Sequence, residues 1–288
     1  MTVALANAPV SYGAFELTVG IMPGVPDATT VLDEVADAGY AGIDLGPLGY
    51  LGDVKDIGPN LARRKLALSG GFVELPFHDL DRMPAALRDL RGVLDVFDAA
   101  RQGDALPPRP TLAALARDGS MKMDDAWWQR FAEGVDMADA ACRERGYEAT
   151  FHHETGTLVE SPAEIEKVLE LSSIGLCLDT GHLLLGGGDP AEAVRDWGGR
   201  INHLHLKDAR RAIVEQIVLE SAPVAEIWKR KAFCRLGEGD LDVEAVLTFA
   251  RASYSGWIVV EQDVLPEVDG SAAADQRANR EYLGARGF

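Results

Sequence analysis

Cysteine is scarce in this chain. Cys142, Cys177 and Cys234 are the only three in 288 residues, too few and too scattered for a disulfide framework. An odd count of thiols suits a reducing cytoplasm, which is the expected location. No stretch comes near the roughly 18 uninterrupted apolar residues of a membrane span. The start, Met1-Thr2-Val3-Ala4-Leu5, lacks the basic and long apolar regions of a signal peptide. Positive charge is also short: 28 Lys and Arg stand against 46 Asp and Glu, a formal charge of −18. Such a surface repels phosphate backbones, so no nucleic-acid partner is expected. It also disfavours a highly anionic substrate unless a local basic pocket overrides it. Linkers, internal repeats and low-complexity segments are missing too, which predicts one domain over residues 1–288.

What the chain does have is a 47 % apolar content, enough for a sizeable core, and a regular alternation of patterns. Short β-rich runs are predicted at 3–7, 42–45, 67–72, 111–114, 149–153, 174–178, 201–205 and 257–261. Helical patterns follow at 29–38, 61–66, 84–100, 124–145, 162–171, 190–197, 243–252 and 272–285. Eight β-then-α units predict a closed parallel (β/α)8 barrel. Pro107, Pro108 and Pro110 crowd the fourth strand. Ser161-Pro162-Ala163-Glu164 and Asp189-Pro190-Ala191-Glu192 have the form of capped helix starts. The longest insertion, 208–239, contains a helical stretch around 224–231 and a basic, aromatic cluster that includes Arg210, Arg211 and Trp228. A long loop at the carboxyl end of a barrel strand shapes or covers the site, so a lid or a subunit contact, and with it a homo-oligomer, is expected here.

Three of the predicted strands end in groups that bind metals or move protons. Cys177-Leu178-Asp179-Thr180-Gly181-His182 ends one, Ile201-Asn202-His203-Leu204-His205-Leu206-Lys207-Asp208 another, and Trp257-Ile258-Val259-Val260-Glu261-Gln262-Asp263 the last. A buried, unpaired carboxylate at Asp179 would cost several kcal/mol, so it needs a cation or donors; its plainer role is to cap the turn into Gly181. His203 and His205 share a face of their strand. His205, nearer the strand end, is the expected ligand, and His203 a packing or supporting residue. Glu261 completes a mixed nitrogen and oxygen set. Carboxylates with imidazoles suit Mn²⁺ or Co²⁺, with Zn²⁺ or Fe²⁺ as further options, and the lack of cysteine ligands argues against a structural zinc.

Phe151-His152-His153-Glu154-Thr155-Gly156-Thr157 closes the fifth strand. Alternation puts His152 and Glu154 on one face and His153 on the other. Either His152 or Glu154 is the fourth ligand, and the other is left for acid–base work or support. Lys207 is expected to stabilise an enolate or transfer a proton, or else to pair with Asp208 or another acid. His182, in the loop after Asp179, suits a hydroxyl contact; His153 and, more weakly, Glu74 are further substrate-contact candidates. Gly186-Gly187-Gly188 lacks the basic neighbour of a phosphate cradle and reads as a plain loop.

These residues resemble the sugar phosphate isomerase/epimerase superfamily, the xylose isomerase-like barrels, and within it the inosose dehydratase group. The likeness is carried by the motifs around Asp179, His205 and Glu261, by Gly187-Gly188-Asp189-Pro190 and Gly237-Glu238-Gly239-Asp240, and more loosely by Ala8-Pro9-Val10-Ser11-Tyr12-Gly13. It implies one divalent ion held at the ends of strands five to eight by Asp179, His205, Glu261 and one residue of 152–154. Many members carry Glu-Asn-His at strand five with the Glu as ligand. This chain has His152-His153-Glu154, with Glu154 standing where the inosose dehydratase-like pattern has its second His. The implied chemistry is proton abstraction next to a carbonyl of a polyol, keto-sugar or keto-inositol. Loss of a β-hydroxyl makes the protein a lyase; return of the proton makes it an isomerase or epimerase; cleavage of a 3-keto glycoside uses the same first step. Metal-dependent endonucleases for abasic sites share the fold, but −18 opposes a basic groove. A non-catalytic sugar-binding barrel is the remaining alternative.

Overall fold

The computed structural model describes residues 2–103, 105–119, 121–266 and 271–288. Four strands lie in the first half: β1 (Val3–Asn7), β2 (Gly42–Ile43), β3 (Ala67–Leu68, resumed at Gly70–Leu75) and β4 (Arg109–Ala114). Four follow: β5 (Thr150–His152), β6 (Gly175–Asp179), β7 (Ile201–Leu206) and β8 (Gly256–Val260). All pairings among them are parallel, each strand beside its predecessor, and β8 lies beside β1. The ring closes through Ser69, whose N–H donates to Ile43 and whose carbonyl accepts from Arg109, both at 3.0 Å. The predicted eight-stranded barrel is therefore the fold, inside a jacket of helices.

The helices are α1 (Ala28–Asp37), α2 (Val54–Arg63), α3 (Met83–Ala100), α4 (Asp125–Glu144), α5 (Pro162–Leu171), α6 (Thr180–Leu185) and α7 (Pro190–Asp196). After β7 come α8 (Arg211–Leu219), α9 (Glu226–Lys229) and α10 (Val243–Ser253), and α11 (Ser271–Gly284) closes the chain. Their apolar faces bury Val31, Leu90, Phe131 and Leu247, among others, against the outer faces of the strands. None of the described helices is long and apolar enough to cross a membrane. Both predicted caps are present: Glu164 accepts from the Ser161 N–H at 2.9 Å, and Asp189 accepts from Ala191 at 2.8 Å.

Four expectations are corrected. The second helix spans Val54–Arg63 rather than 61–66, and contains Gly58 and Pro59. A Cβ at Gly58 would lie 2.5 Å from the Ala99 carbonyl, so the glycine serves close packing of α2 on α3 and not a break. β4 starts earlier than expected, at Arg109, and takes in Pro110. His182 sits in the first turn of α6, not in a loop. The long insertion holds α8 as well as the expected α9. Gly186 and Gly188 are packing positions, since a Cβ would lie 2.4 Å from Glu160 O and Leu183 Cδ1 respectively.

Asp208 anchors that insertion. Its carboxylate accepts from the N–H groups of Ala209, Gly237, Gly239 and Leu241 at 2.8–3.0 Å. Leaving several buried donors unpaired costs about 1–3 kcal/mol each. Asp208→Ala should therefore destabilise the protein by about 3 kcal/mol or more. The same change should open the 208–239 segment to limited proteolysis. An unchanged melting curve and an unchanged digestion pattern would show that the anchor is dispensable.

Candidate functional site

The register of the barrel brings the strand ends together. Asp179 pairs with His205, and His205 in turn lies beside Val259 of β8, two residues before Glu261. Between β6 and β7 the register slips: Leu176 faces Ile201, yet Cys177 faces His203. Asn202 is the extra residue of this bulge, and it shifts both histidines onto the interior face with Cys177 and Asp179. Its side chain lies across Gly175, where a Cβ would come within 2.1 Å, and donates to the Ala149 carbonyl at 3.1 Å.

Each residue of the Asp179-Thr180-Gly181-His182 motif has its own part in the site. Asp179 caps α6 by accepting the His182 N–H through Oδ1 at 2.9 Å, so the plain capping role holds for one oxygen. Its Oδ2 faces inward, 3.5 Å from His152 Nε2, 3.7 Å from His205 Nδ1 and 3.2 Å from Lys207 Nζ. Thr180 Oγ1 accepts from the Lys207 N–H at 2.9 Å and donates to the Lys207 carbonyl at 2.7 Å. Gly181 leaves room for the lysine stem, since a Cβ would meet Lys207 Cγ at 2.7 Å. His182 Nε2 then lies 3.2 Å from Lys207 Nζ.

Lys207 does not pair with Asp208. Its ammonium lies 2.7 Å from Asp263 Oδ1, 3.1 Å from Glu261 Oε2 and, as above, beside Asp179. Phe233, from the small antiparallel pair Asp208–Ala209 and Phe233–Cys234, presents its ring 5.1 Å from the same nitrogen. Burial alone would lower the lysine's pKa, but Asp179, Asp263 and Glu261 hold it well above its ordinary value. Burial would likewise raise Asp179 and Glu261; the Lys207 ammonium with the neighbouring His182 holds the former, and His205 with Lys207 the latter, below the carboxylate range. His205 is held well above the usual imidazole value against its burial, by Cys177 and Glu261. His152 and His182 go down, mainly through burial.

His152, Asp179, His205 and Glu261 thus stand in one chain of neighbours, with His205 Nδ1 and Glu261 Oε2 3.1 Å apart. All four are buried. Asp179 Oδ2 and both ring nitrogens of His205 make no aligned hydrogen bond, and neither does His152 Nδ1. Buried polar atoms left so are costly, and a divalent cation that takes the place of a His205 ring proton would satisfy them. The oxygen and imidazole donors fit such an ion chemically. Two triads, Asp44–His205–Glu261 and His152–Cys177–His205, offer ligand atoms that all lie within 4.8 Å of one another.

A cavity opens above this cluster and is lined by His152, Glu154, His182, His205, Lys207 and Glu261. Glu154 faces it from the His152 side, with its carboxyl pushed up to about 8, chiefly by burial. Phe15 and Trp228 also line it and stack with centroids 6.1 Å apart, so the long insertion reaches the mouth. The structure does not bring His153 or Glu74 into the lining. His153 is fully buried behind the strand, where Nε2 accepts from the Asp179 N–H at 3.3 Å. Glu74 sits exposed on the rim. His203 lies deeper in the barrel, fully buried.

Sequence reasoning missed Asp44 and Asp263 as parts of the site. Asp44 follows the short β2 run Gly42-Ile43 as Asp179 ends β6, a signal of the same kind. Burial pushes its carboxyl up to about 7, and that of Asp263 to about 6. Asp263 lies two residues past Glu261, the spacing that returns a side chain to the same face.

Fold and cluster define a parallel (β/α)8 barrel with its ionisable groups gathered at the carboxyl end of the strands, where barrels carry their active sites. The model of the xylose isomerase-like TIM barrel family matches residues 32–283, and the chain belongs to that family. An inosose dehydratase of Geobacillus kaustophilus (strain HTA426) is 28 % identical over 262 residues, covering 86 % of this chain and 84 % of that protein. Among solved structures, the probable 3-DHS dehydratase AsbF of Bacillus anthracis superposes with a TM-score of 0.72 at 13 % identity, covering 99 % of both chains. The IOLI protein with a bound zinc atom gives 0.70 at 13 % identity, over 97 % of this chain and 96 % of that one.

Proposed function

We propose that this protein is a divalent-metal-dependent lyase that dehydrates a keto-inositol or a related cyclic keto-sugar. The observation that carries the reading is the convergence of His152, Asp179, His205 and Glu261 beneath a cavity whose wall also holds Lys207 and Glu154. The likeness to inosose dehydratases over most of both chains supports the substrate class. The zinc bound by the structural neighbour supports a metal. In this reading the four residues hold the ion, with Mn²⁺ or Co²⁺ preferred and Zn²⁺ or Fe²⁺ as alternatives. When bound, it supplies Lewis-acid polarisation of the substrate carbonyl and the adjacent hydroxyl.

The chain's own groups move the protons. Glu154 faces the cavity and has no ion pair among the described residues, so its carboxylate is placed to take the α-proton. Lys207, kept as an ammonium by three carboxylates, donates toward the developing negative charge on oxygen. His182, hydrogen-bonded through Nδ1 to Thr155 at 3.0 Å, contacts a ring hydroxyl. The α C–H bond breaks, a C=C bond forms, and the β-hydroxyl leaves as water with a proton from the site. Phe15 and Trp228 shelter the cavity from solvent.

The test is incubation of the Mn²⁺-loaded protein with a keto-inositol in D₂O. The α-position of unreacted substrate should take up deuterium, and the product should form with loss of water. Glu154→Gln should slow both on the order of 10²–10⁴-fold with metal content intact. Exchange without water loss would move the protein to the isomerases and epimerases. Neither exchange nor loss with keto-inositols, ketoses or 3-keto sugars would overturn the enzymatic reading and leave a sugar-binding barrel.

A further inference from the structure

Cysteine had no place in the donor set expected from the sequence, yet Cys177 lies inside the barrel. It is fully buried on β6, opposite His152 on one neighbouring strand and His203 on the other. Its thiol and one nitrogen each from His152 and His205 lie within 4.8 Å of one another. His152 Nδ1 and both ring nitrogens of His205 are buried without an aligned partner. His203, also fully buried and directly opposite Cys177, leaves both of its nitrogens unpartnered. Among the described residues, Cys142 and Cys234 belong to no such group.

We infer that the barrel holds a second, softer ion site one layer below the Asp179 carboxylate, made by Cys177, His152 and His205, which takes a thiophilic divalent ion such as Cd²⁺ or Zn²⁺. Thiolate with imidazole selects these ions, whereas carboxylate with imidazole accepts Mn²⁺. Donor atoms around one tetrahedral ion stand roughly 3.5 Å apart, given bonds of roughly 2.3 Å to sulfur and 2.0 Å to nitrogen. Small side-chain rotations close the three donors onto an ion. Binding exchanges the Cys177 thiol proton and the His205 ring proton for the ion, releases both to solvent and involves no redox step. Two of the three ligands are shared with the upper carboxylates, so an ion bound low draws both imidazoles away from an ion bound high. The two sites compete, and thiophilic ions displace the harder ion. This holds whatever reaction the cavity supports.

The test is a Cd²⁺ titration of the metal-stripped full chain, followed by the ultraviolet thiolate-to-cadmium charge-transfer band. The parent protein should show the band saturating near one equivalent. The double variant Cys142→Ser/Cys234→Ser should show it unchanged. Cys177→Ser and Cys177→Ala should lose it, with Cd²⁺ affinity lower by on the order of tenfold or more and Mn²⁺ affinity moving far less. Circular dichroism of both Cys177 variants controls for folding. A band that persists in Cys177→Ser, that disappears with Cys142 and Cys234, or that never forms in the parent overturns the inference.

Discussion

Asp179→Asn is expected to remove the bound divalent ion and the activity together while the barrel stays folded. The carboxylate does two separable things. Oδ1 caps α6 through the His182 N–H, and an asparagine oxygen caps nearly as well. Oδ2 is the inward acceptor that stands between His152, His205 and Lys207, and only there does the charge matter. Amide in place of carboxylate takes a negative oxygen out of the proposed ligand set and adds N–H donors that repel a cation. Affinity for Mn²⁺ or Co²⁺ should fall by at least on the order of 100-fold, more than the loss that supporting residues alone produce. Lys207 keeps Glu261 and Asp263 as partners, so the buried ammonium is not stranded. Metal per chain after loading and desalting, turnover, and the thermal melt are the three measurements. Parent-like metal content in Asp179→Asn would remove this residue from the ligand set; a collapsed melt would show that its structural role dominates.

The barrel was legible because hydrophobic periodicity changes from two to 3.6 at each unit, and that alternation has one favoured closed solution. Strand ends were legible for a related reason. An apolar run that stops at Asp179, His205 or Glu261 places a polar group where burial demands a partner. The misplaced pieces have physical causes as well. Gly58 and Pro59 look like punctuation, but they sit inside α2 because packing against Ala99 overrides propensity. α6 is only six residues long, too short to show a helical period. The bulge at Asn202 is set by tertiary pairing, and its fit over Gly175 cannot be seen in one strand alone. Asp44 and Asp263 belong to the cluster only because the ring closes, which brings β2 and the segment after β8 to the same mouth. Cys177 is hidden for the same reason. Its sequence neighbours mark it as core, and only the register sets it beside His152.

Lys207→Met should lower turnover on the order of 10²–10⁴-fold while metal binding becomes tighter. Methionine keeps an unbranched stem of similar length, so the space over Gly181 and the face of Phe233 remain filled. What disappears is the charge. The ammonium contacts Asp179 at 3.2 Å and Glu261 at 3.1 Å, and so competes with any cation for two of the four proposed ligands. Without it those carboxylates offer their full charge to the ion, and affinity rises. The same loss takes away the group placed to donate toward substrate oxygen. A residue needed only for packing would behave differently: turnover, metal content and melting temperature would fall together. Lys207→Arg is the informative companion. Arginine restores the charge, but its planar fork does not fit the channel shaped for a slim stem by Gly181, and it does not give up a proton. It should therefore leave turnover low. Metal titration by calorimetry, steady-state rates with a keto-inositol and thermal melts on both variants separate these outcomes. Near-parent turnover in Lys207→Met would remove the lysine from the chemistry and leave Glu154 to be tested as the principal proton-transfer residue.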